Sequence, residues 1–281
     1  MVETLTNGVP TLDLTGQNAL ITGAASGIGA ATARRFAALG ATLHLADIDD
    51  ARGAALASEL GATYHHLVVA DPGAWAALDV ATQVDIIFLN AGVSTRPPDA
   101  EPNDVPMGEV TDAAYRRIMS INVDGVVFGA RAALPAMVAR GGGHIVITAS
   151  MAGLGPIPFD PIYGLTKHAM VGFAKSLGVT YGPMGVCTSA ICPGFADTNI
   201  ISGELKDMLG QVGVPVMSAD RVADTVVTAL AAAEPGSLWA VWGDLPIARY
   251  EPNPVFPEME QGIGSMLDLP EAMAADEAAS A

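Results

Sequence analysis

Cysteine and histidine, the side chains that most often hold metals, are scarce in this chain. Its 281 residues include two cysteines and five histidines. Cys187 and Cys192 lie five positions apart on one predicted strand and point to opposite faces, so no bond between them is expected. His65 and His66 are expected to be surface or packing residues, and no Cys/His spacing matches a metal site. The sequence therefore predicts no metal centre.

Basic residues are also few. The 13 Lys and Arg stand against 30 Asp and Glu, which gives a formal net charge of −17. Such a chain repels polyanions, so neither nucleic acid nor an anionic membrane is expected as a partner. The acidity is enriched after residue 250, where seven acidic residues occur without a basic one. We expect this charge to serve solubility.

Long uninterrupted apolar runs are absent as well. No run reaches the roughly 18 residues that a membrane-spanning helix needs. Residues 1–15 lack the basic and apolar segments of a secretory signal. With 51% hydrophobic and 15% charged residues, the composition is that of a folded globular protein. Cytoplasmic residence is the resulting expectation.

The sequence does contain a regular alternation of short β-branched runs and alanine-rich helical stretches. This alternation is typical of a parallel sheet with helices on both faces. The fold class is therefore α/β, a doubly wound parallel sheet of about seven strands. The predicted strands are 19–22, 42–46, 64–69, 85–90, 144–149, 186–192 and 238–242. The predicted helices lie near 28–39, 50–60, 75–81, 112–139, 161–181 and 219–233.

Two segments depart from this alternation. Residues 93–107 are rich in Pro and acidic residues and are predicted to form a long surface loop. Residues 251–281 are predicted to be an acidic C-terminal arm that is partly flexible. Because no linker or repeat interrupts residues 1–250, we predict a single domain there.

A glycine-rich turn, T-G-A-A-S-G-I-G, follows the first predicted strand and leads into a helix. Glycines allow a tight turn and close backbone approach, and the N–H groups at a helix start suit a pyrophosphate. Such a turn can be purely structural, but at the first strand of a long α/β chain it favours dinucleotide binding. The residues predicted to contact the cofactor here are Gly23, Ser26, Gly27, Ile28 and Gly29.

Asp47 ends the second predicted strand, at the place where a carboxylate can accept hydrogen bonds from the adenosine ribose. The same carboxylate repels a 2′-phosphate. Asp49 and Asp50 add to this repulsion, and Arg52 lies too far along the next helix to offset it. The predicted cofactor is therefore NAD rather than NADP.

Ser150, Tyr163 and Lys167 have the types and spacing of a proton-transfer group. Lys167 follows Tyr163 by four positions, which places both on one helix face. A nearby ammonium lowers the pKa of a phenol from its usual value of about 10 and so prepares it for acid/base work. Ser150 follows a predicted buried strand, where its hydroxyl can hold a substrate oxygen. Taken alone, the pair is more often a tyrosine packed on a lysine stem.

Six motifs together resemble those of the short-chain dehydrogenase/reductase family. The resemblance spans nearly all of residues 14–242 and is specific because the motifs occur in order and at matching intervals. It implies a Rossmann-type fold and hydride transfer between NAD and an alcohol or ketone. The motifs are T-G-A-A-S-G-I-G at 22–29, N-A-G at 90–92, Asn122 within I-N-V-D-G, Ser150, Y-G-L-T-K at 163–167 and P-G-F-A-D-T at 193–198.

The resemblance implies a role for each matching residue. Tyr163 would be the general acid/base, and Ser150 would polarise the substrate oxygen. Lys167 would lower the pKa of the tyrosine and bind the nicotinamide ribose. Asn122 would hold a water that links Lys167 to solvent, with a helix-interior asparagine bonded to its own backbone as the alternative. The further implied cofactor contacts are Ile48, Asp71, Asn90, Ala91, Gly92, Pro193, Gly194, Ala196 and Thr198.

The pair Asp71-Pro72 departs from the family pattern. Relatives often bind adenine through an Asp and the backbone N–H of the next residue. Proline has no N–H, so we expect modestly weaker NAD binding than for a chain with a free N–H there.

The positions expected to line the substrate pocket are mostly apolar. They lie in residues 93–107 and 151–159 and after Thr198, where no cluster of Arg or Lys occurs. An apolar secondary alcohol or ketone of aryl, alicyclic or steroid-like type is therefore expected. The apolar positions are Gly153, Leu154, Ile157, Phe159, Ile200, Ile201, Leu205 and Met208.

Other functions fit parts of the sequence. A polyol or sugar dehydrogenase of the same family would differ only in the pocket. A nucleotide-sugar epimerase or dehydratase needs a larger C-terminal domain than about 40 residues can form. A non-catalytic NAD-sensing protein does not need the four site residues together. The resemblance also implies a homo-oligomer, a dimer or tetramer that pairs through its long helices.

Overall fold

The computed structural model describes residues 2–4, 10–95, 107–157 and 160–252. The chain divides into two compact units. One is Glu3–Tyr250, and the other combines Met1–Val2 with Glu251–Ala281. Apart from Glu251 and Pro252, the predicted C-terminal arm lies outside the described residues.

Within the described residues, nine strands form one sheet in the order β1-β9-β8-β7-β6-β5-β2-β3-β4. Strands β2 to β8 run parallel, and β9 pairs antiparallel with β8. The strands are β1 (Val2–Thr4), β2 (Asn18–Thr22), β3 (Thr42–Asp47), β4 (Thr63–His66), β5 (Ile86–Leu89), β6 (Gly143–Thr148), β7 (Val186–Pro193), β8 (Ser237–Val241) and β9 (Ala248–Tyr250).

Helices cover both faces of this sheet, which is why the central strands are apolar on both sides. On one face, Phe36 packs with Ile21 in a buried cluster. On the other face, Met170 belongs to the cluster that contains Leu20. The helices are α1 (Gly27–Ala38), α2 (Asp50–Leu60), α3 (Pro72–Ala76), α4 (Asp112–Met119), α5 (Gly125–Arg140), α6 (Pro161–Tyr181), α7 (Gly203–Gln211) and α8 (Ala219–Ala232).

The predicted fold class is confirmed, with β1, β9 and α7 as elements that the sequence prediction missed. The prediction also placed α3 too late. This helix begins at Pro72, because Asp71 caps it by accepting the Gly73 N–H at 2.7 Å. Helix α7 begins in the same way after Ser202, whose hydroxyl accepts the Leu205 N–H at 3.2 Å.

The helices α4 and α5 are joined by a π-helical turn, Ser120–Asp124, into one long helix. By length and composition alone, this helix could cross a membrane, since an 18-residue window of it has a mean hydropathy of 1.3. In the structure, Val126, Ala130 and Ala133 are buried in the cluster on the sheet. The apolar face of the helix therefore forms part of the core.

The strand order changes direction between β2 and β5, which are neighbours in the sheet. From β2 the chain continues to β3 and β4 on one side, and from β5 it continues to β6, β7 and β8 on the other. In open α/β sheets, ligands bind at such a reversal, outside the carboxyl ends of the strands. The glycine-rich turn after β2 and the N-A-G segment after β5 both lie at these carboxyl ends.

A buried polar network crosses β6, β7 and β8. His144 Nε2 lies 3.0 Å from Ser189 Oγ, which lies 3.0 Å from Ser237 Oγ. Trp239 Nε1 donates to Ser237 Oγ at 2.9 Å. Burial lowers the pKa of His144 to about 4, so its imidazole is neutral at neutral pH.

We predict that His144 makes the protein less stable in mild acid. Its pKa is 6.5 when unperturbed and about 4 in the fold. Between these values the unfolded chain binds the extra proton, so the free energy of unfolding falls as the pH falls, by up to roughly 1.4 kcal/mol per pH unit. In His144→Asn, Tm should fall less steeply as the pH is lowered across this range.

Some dependence of Tm on pH remains in this variant, because burial also lowers the pKa of His44 and of His65. The exposed His168→Asn serves as control; an equally steep slope in both variants would contradict the prediction.

Candidate active site

The glycine-rich turn has no room for side chains. Gly23 and Gly27 have φ of +64° and +51°. A Cβ at Gly23 would lie 2.8 Å from Ala91 Cα, and one at Gly29 would lie 2.1 Å from the Gly23 oxygen. Helix α1 has no acidic residue in its first turn, and Ser26 forms no side-chain cap there. The turn thus presents backbone N–H groups, which suit an anion at the helix start.

Asp47 lies beside this turn and is held by three backbone N–H groups. Its Oδ2 accepts from Ala25 at 2.9 Å, while its Oδ1 accepts from Ile48 at 2.7 Å and Asp49 at 3.0 Å. Arg52 donates through Nε to Asp49 at 2.6 Å. The carboxylate of Asp47 is therefore fixed at the edge of the turn, and the guanidinium of Arg52 is engaged by another acid.

Two further residues predicted to contact the cofactor, Ile48 and Asp71, follow β3 and β4. Ile48 is 66% exposed. Asp71 uses Oδ1 as the cap of α3, and Pro72 is the first residue of that helix. Proline suits this position because an N–H there has no partner within the helix. The departure at Pro72 thus has a local structural reason.

Asn90 joins the ends of three neighbouring strands. Its Nδ2 donates to the backbone oxygens of Thr22 at 3.1 Å and Gly23 at 3.3 Å, and its Oδ1 accepts from Thr148 Oγ1 at 3.0 Å. The N–H groups of Asn90 and Ala91 donate to Thr22 Oγ1 at 2.9 and 3.2 Å. This side chain therefore fixes β2, β5 and β6 to one another at the edge where the cofactor is predicted.

Tyr163 and Lys167 lie in the first two turns of α6, next to the end of β6. Lys167 Nζ lies 5.4 Å from the centre of the Tyr163 ring and donates to the Thr148 oxygen at 2.7 Å. Ser150 follows β6, and its Oγ lies 3.4 Å from the backbone oxygen of Pro193 at the end of β7. The structure thus brings the three predicted catalytic side chains to one place.

Burial shifts both ionisable groups of this trio toward their neutral forms. It raises the pKa of Tyr163 to about 12; a hydrogen bond with Ser150 opposes this rise, and the charge of Asp160 adds to it. Burial lowers the pKa of Lys167 to about 8, against an opposing influence of Cys192. The sequence predicted a lowered tyrosine pKa. Burial, the largest influence on this group, instead moves the tyrosine pKa in the opposite direction.

Asn122 lies buried in the π-helical turn and bonds to neighbouring elements. Its Oδ1 accepts the Val93 N–H at 2.8 Å, and its Nδ2 donates to the Val93 oxygen at 2.8 Å and to Thr166 Oγ1 at 3.2 Å. Thr166 donates in turn to the Tyr163 oxygen at 2.8 Å. The alternative of an asparagine bonded to its own helix backbone does not hold, and the water relay stays a prediction.

The segment after β7 lies against the glycine-rich turn. A Cβ at Gly194 would lie 2.4 Å from the Trp242 ring, so only glycine fits there. The methyl carbon of Thr198 would lie 3.0 Å from a Cβ at Gly27. Ala196 is buried in a short β-bridge. Thr198, a predicted cofactor contact, is therefore adjacent to the residues of the turn that are predicted to contact the pyrophosphate.

The predicted pocket residues differ in where they lie. A Cβ at Gly153 would be 2.5 Å from the Lys167 backbone oxygen, so Gly153 permits close packing on α6 and does not line a pocket. Ile157 contacts the start of α6. Ile200 and Met208 are 40% and 39% exposed near α7. Phe159 and residues 96–106 lie outside the described residues.

Two residues that the sequence prediction omitted connect α6 to the segment after β5. Asp160 Oδ1 accepts the Tyr163 N–H at 2.9 Å and the Thr95 hydroxyl at 2.6 Å, and Oδ2 accepts the Thr95 N–H at 3.0 Å. The pair Asp160-Pro161 is typical of a helix start and could have been found. The contact with Thr95, 65 positions away, has no signal in the sequence.

Among the residues that the structure describes, no group of three or more His, Cys, Asp or Glu could hold a metal ion. Cys187 and Cys192 are free thiols, as predicted. His65 Nε2 lies 3.1 Å from His44 Nδ1, and His66 pairs with Asp50 at 2.7 Å.

Comparison with known proteins identifies the family. The model of the short chain dehydrogenase family matches residues 17–209. A 3beta-hydroxysteroid dehydrogenase 2 from Eggerthella lenta is 36% identical over 198 residues, which cover 66% of this chain and 74% of that protein. A 2-keto-3-deoxy-L-fuconate dehydrogenase from Xanthomonas campestris pv. campestris is 37% identical over 207 residues, covering 72% of this chain and 65% of that protein.

Solved structures agree with this result. A 3-oxoacyl-[acyl-carrier protein] reductase with bound NAD from Brucella melitensis superposes with a TM-score of 0.74 at 30% identity, over 86% of this chain and 98% of that one. A structure assigned to an NAD(P)-dependent gluconate 5-dehydrogenase from Beutenbergia cavernae holds NADP at low occupancy. It superposes with a TM-score of 0.70 at 25% identity, over 82% and 97% of the two chains.

These relatives are named as dehydrogenases and reductases, and the two structures hold NAD or NADP. The chain belongs to the short-chain dehydrogenase/reductase family and is an oxidoreductase that acts on CH–OH groups with a nicotinamide cofactor.

Proposed function

We propose that the protein is an NAD-dependent dehydrogenase that interconverts a secondary alcohol and a ketone on a mainly apolar substrate. The observation that carries this proposal is the meeting of Ser150, Tyr163 and Lys167 at the carboxyl ends of β6 and β7. A protein that only senses NAD has no need of this trio. A polyol or sugar dehydrogenase is the second candidate, since one relative is named for a sugar acid.

The residues at the edge of the sheet fit a dinucleotide. The crowding at Gly23 and Gly29 leaves backbone N–H groups at the helix start for the pyrophosphate. Asp47 would accept from the adenosine ribose, Lys167 would hold the nicotinamide ribose, and Thr198 would bind the carboxamide. When bound, the nicotinamide supplies the hydride acceptor or donor.

In the oxidative direction, Tyr163 takes the hydroxyl proton of an alcohol whose oxygen is held by Ser150. Because burial raises the pKa of Tyr163 to about 12, its phenolate needs a positive charge close by. Lys167, with a pKa of about 8, keeps its proton at neutral pH and supplies that charge. In reduction, Tyr163 returns the proton to the substrate oxygen. Asn122 would hold the water through which Lys167 exchanges protons with solvent.

The preference for an apolar substrate rests on apolar residues at the start of α6 and near α7. Ile157 packs at the start of α6, and Ile200 and Met208 present apolar surface near α7. The relative from Eggerthella lenta is named for a hydroxysteroid. Aryl, alicyclic and steroid-like alcohols are therefore the first candidates.

We further propose that Asp47 makes NAD the preferred cofactor. Its carboxylate is fixed by three N–H groups, and the closest cation in the sequence, Arg52, bonds to Asp49. A 2′-phosphate would meet uncompensated negative charge at this place.

The assembly, domain and location expected from the sequence complete the proposal. We propose a homo-oligomer, a dimer or tetramer, that pairs through the long helices, with residues 1–250 as one domain and residues 251–281 as an arm. On α6, a Cβ at Gly172 would have no neighbour within 4 Å, and this open space would allow a second helix to approach closely. The compartment proposed is the cytoplasm.

An NAD-linked absorbance screen over aryl, alicyclic, steroid and polyol alcohols tests the reaction. We expect NADH formation with apolar secondary alcohols. Tyr163→Phe should lower kcat at least ~100-fold, because it removes the acid/base hydroxyl, while NADH binding is kept. Tyr181→Phe, at the far end of the same helix, is the matched control. Most activity retained in Tyr163→Phe would disprove the assignment, and turnover of polyols alone would favour the second candidate.

Cofactor choice is tested at Asp47. Asp47→Ser should lower the ratio of kcat/KM for NAD to that for NADP by about fivefold or more, since a repulsion of ~1 kcal/mol or greater is lost. Asp13→Asn makes the same change in net charge and should leave the ratio unchanged. An unaltered ratio in Asp47→Ser would show that other groups select the cofactor.

The adenine corner is tested at Pro72. Pro72→Val restores an N–H at the first position of α3, so we expect a smaller dissociation constant for NAD by fluorescence titration. Thermal melting checks that α3 remains intact. A dissociation constant equal to that of the unmodified protein would show that this N–H does not contribute.

A further inference from the structure

We propose that Asp160 is a positioning residue of this reaction: it joins the start of the catalytic helix to the segment after β5 and places a fixed negative charge beside Tyr163. The inference rests on the proposed function, in which Tyr163 is the acid/base group. It assigns to Asp160 both the geometry of α6 and an influence on the proton of Tyr163.

A single carboxylate serves donors from two separate parts of the chain. Asp160 Oδ1 lies 2.9 Å from the Tyr163 nitrogen and 2.6 Å from Thr95 Oγ1, and Oδ2 lies 3.0 Å from the Thr95 nitrogen. Thr95 is only 5% exposed. Bonds to a charged acceptor in a buried place are among the stronger ones in proteins. Asp160 is thus more than a helix cap, because two of its three bonds leave the helix.

The segment that Asp160 holds is fixed at both of its ends. Asn122 bonds to both the N–H and the oxygen of Val93, at 2.8 Å each. Arg117 donates from α4 to the Ser94 oxygen at 3.3 Å, and Asp160 bonds to Thr95. Residues 93–95 are therefore held from the long helix on one side and from α6 on the other. A shift of this segment is passed to the backbone of Tyr163 through Asp160.

The charge of Asp160 acts on Tyr163 in the opposite sense to that of Lys167. Asp160 raises the pKa of Tyr163, in addition to the larger effect of burial. The other ionisable groups around this place are Lys167 on the same helix, Cys192 on β7 and Arg117 on α4. A higher pKa leaves a smaller fraction of Tyr163 as the phenolate, which is the form that takes the proton in alcohol oxidation. Removing the charge should favour the base form.

The pH dependence of kcat for alcohol oxidation tests the charge. In Asp160→Asn, we expect the apparent pKa of the rise in kcat to move to lower pH. Thr95→Val keeps the charge and the cap but loses one bond to Asp160. It should raise KM several-fold and leave the pH dependence unchanged. Asp13→Asn is the matched control. Asp13 also accepts a Thr N–H, that of Thr15 at 2.9 Å, but it lies near the amino ends of the strands, opposite the candidate site.

Amide hydrogen exchange tests the connection without any need for turnover. In Asp160→Asn and in Thr95→Val, exchange should become faster in residues 93–95 and in the first turn of α6 together, and Asp13→Asn should change neither. Faster exchange in α6 alone would show that Asp160 only caps this helix and does not connect it to residues 93–95, and this result would overturn the proposal. An unchanged or upward-shifted apparent pKa in Asp160→Asn would overturn its electrostatic part. If no alcohol is oxidised at all, the proposed function fails, and the exchange result still decides whether the connection exists.

Discussion

The burial of the Lys167 ammonium at the ends of the central strands is the constraint on which the rest of the site depends. Lys167 is 4% exposed, and a charge placed there is costly unless it is hydrogen-bonded. The Thr148 oxygen at 2.7 Å provides that bond at the end of β6. Thr148 is itself tied through Asn90 to β2 and β5. The partner of the ammonium is therefore as rigid as the sheet.

The same burial explains the small residues around the site. A Cβ at Gly92 would lie 3.8 Å from Lys167 Nζ, and one at Gly153 would lie 2.5 Å from the Lys167 backbone oxygen. The first glycine leaves space at the charge, and the second lets the turn after β6 pack closely on α6. The turn after β6 can pack this closely on α6 only because Gly153 lacks a side chain. The position of Tyr163, one helical turn before Lys167, follows from that approach.

Local patterns allowed the fold and much of the site to be predicted from the sequence. The parallel strands are short apolar runs, and Asp47 and the glycine turn are recognisable because a strand, a turn and a helix follow one another directly. The start of α3 was misplaced although Asp71-Pro72 is a typical helix start, because the prediction read this pair only as a possible adenine contact. The bonds of Asn122 to Val93 and of Asp160 to Thr95 could not be predicted, since they join segments 29 and 65 positions apart. The balance between burial and charge at Tyr163 also requires three dimensions.

The charges near the adenosine corner show how a strongly acidic chain can keep one carboxylate for a specific contact. Asp49 pairs with Arg52, and Asp50 accepts from Tyr64 and bonds to His66. Exposed pairs of this kind add little to stability, but they engage the side chains that would otherwise compete around Asp47. Asp47 itself accepts only backbone N–H groups among the bonds found for it in the described residues. Those groups fix its direction without neutralising its charge, so in the proposed function it would accept from ribose hydroxyls and repel a phosphate.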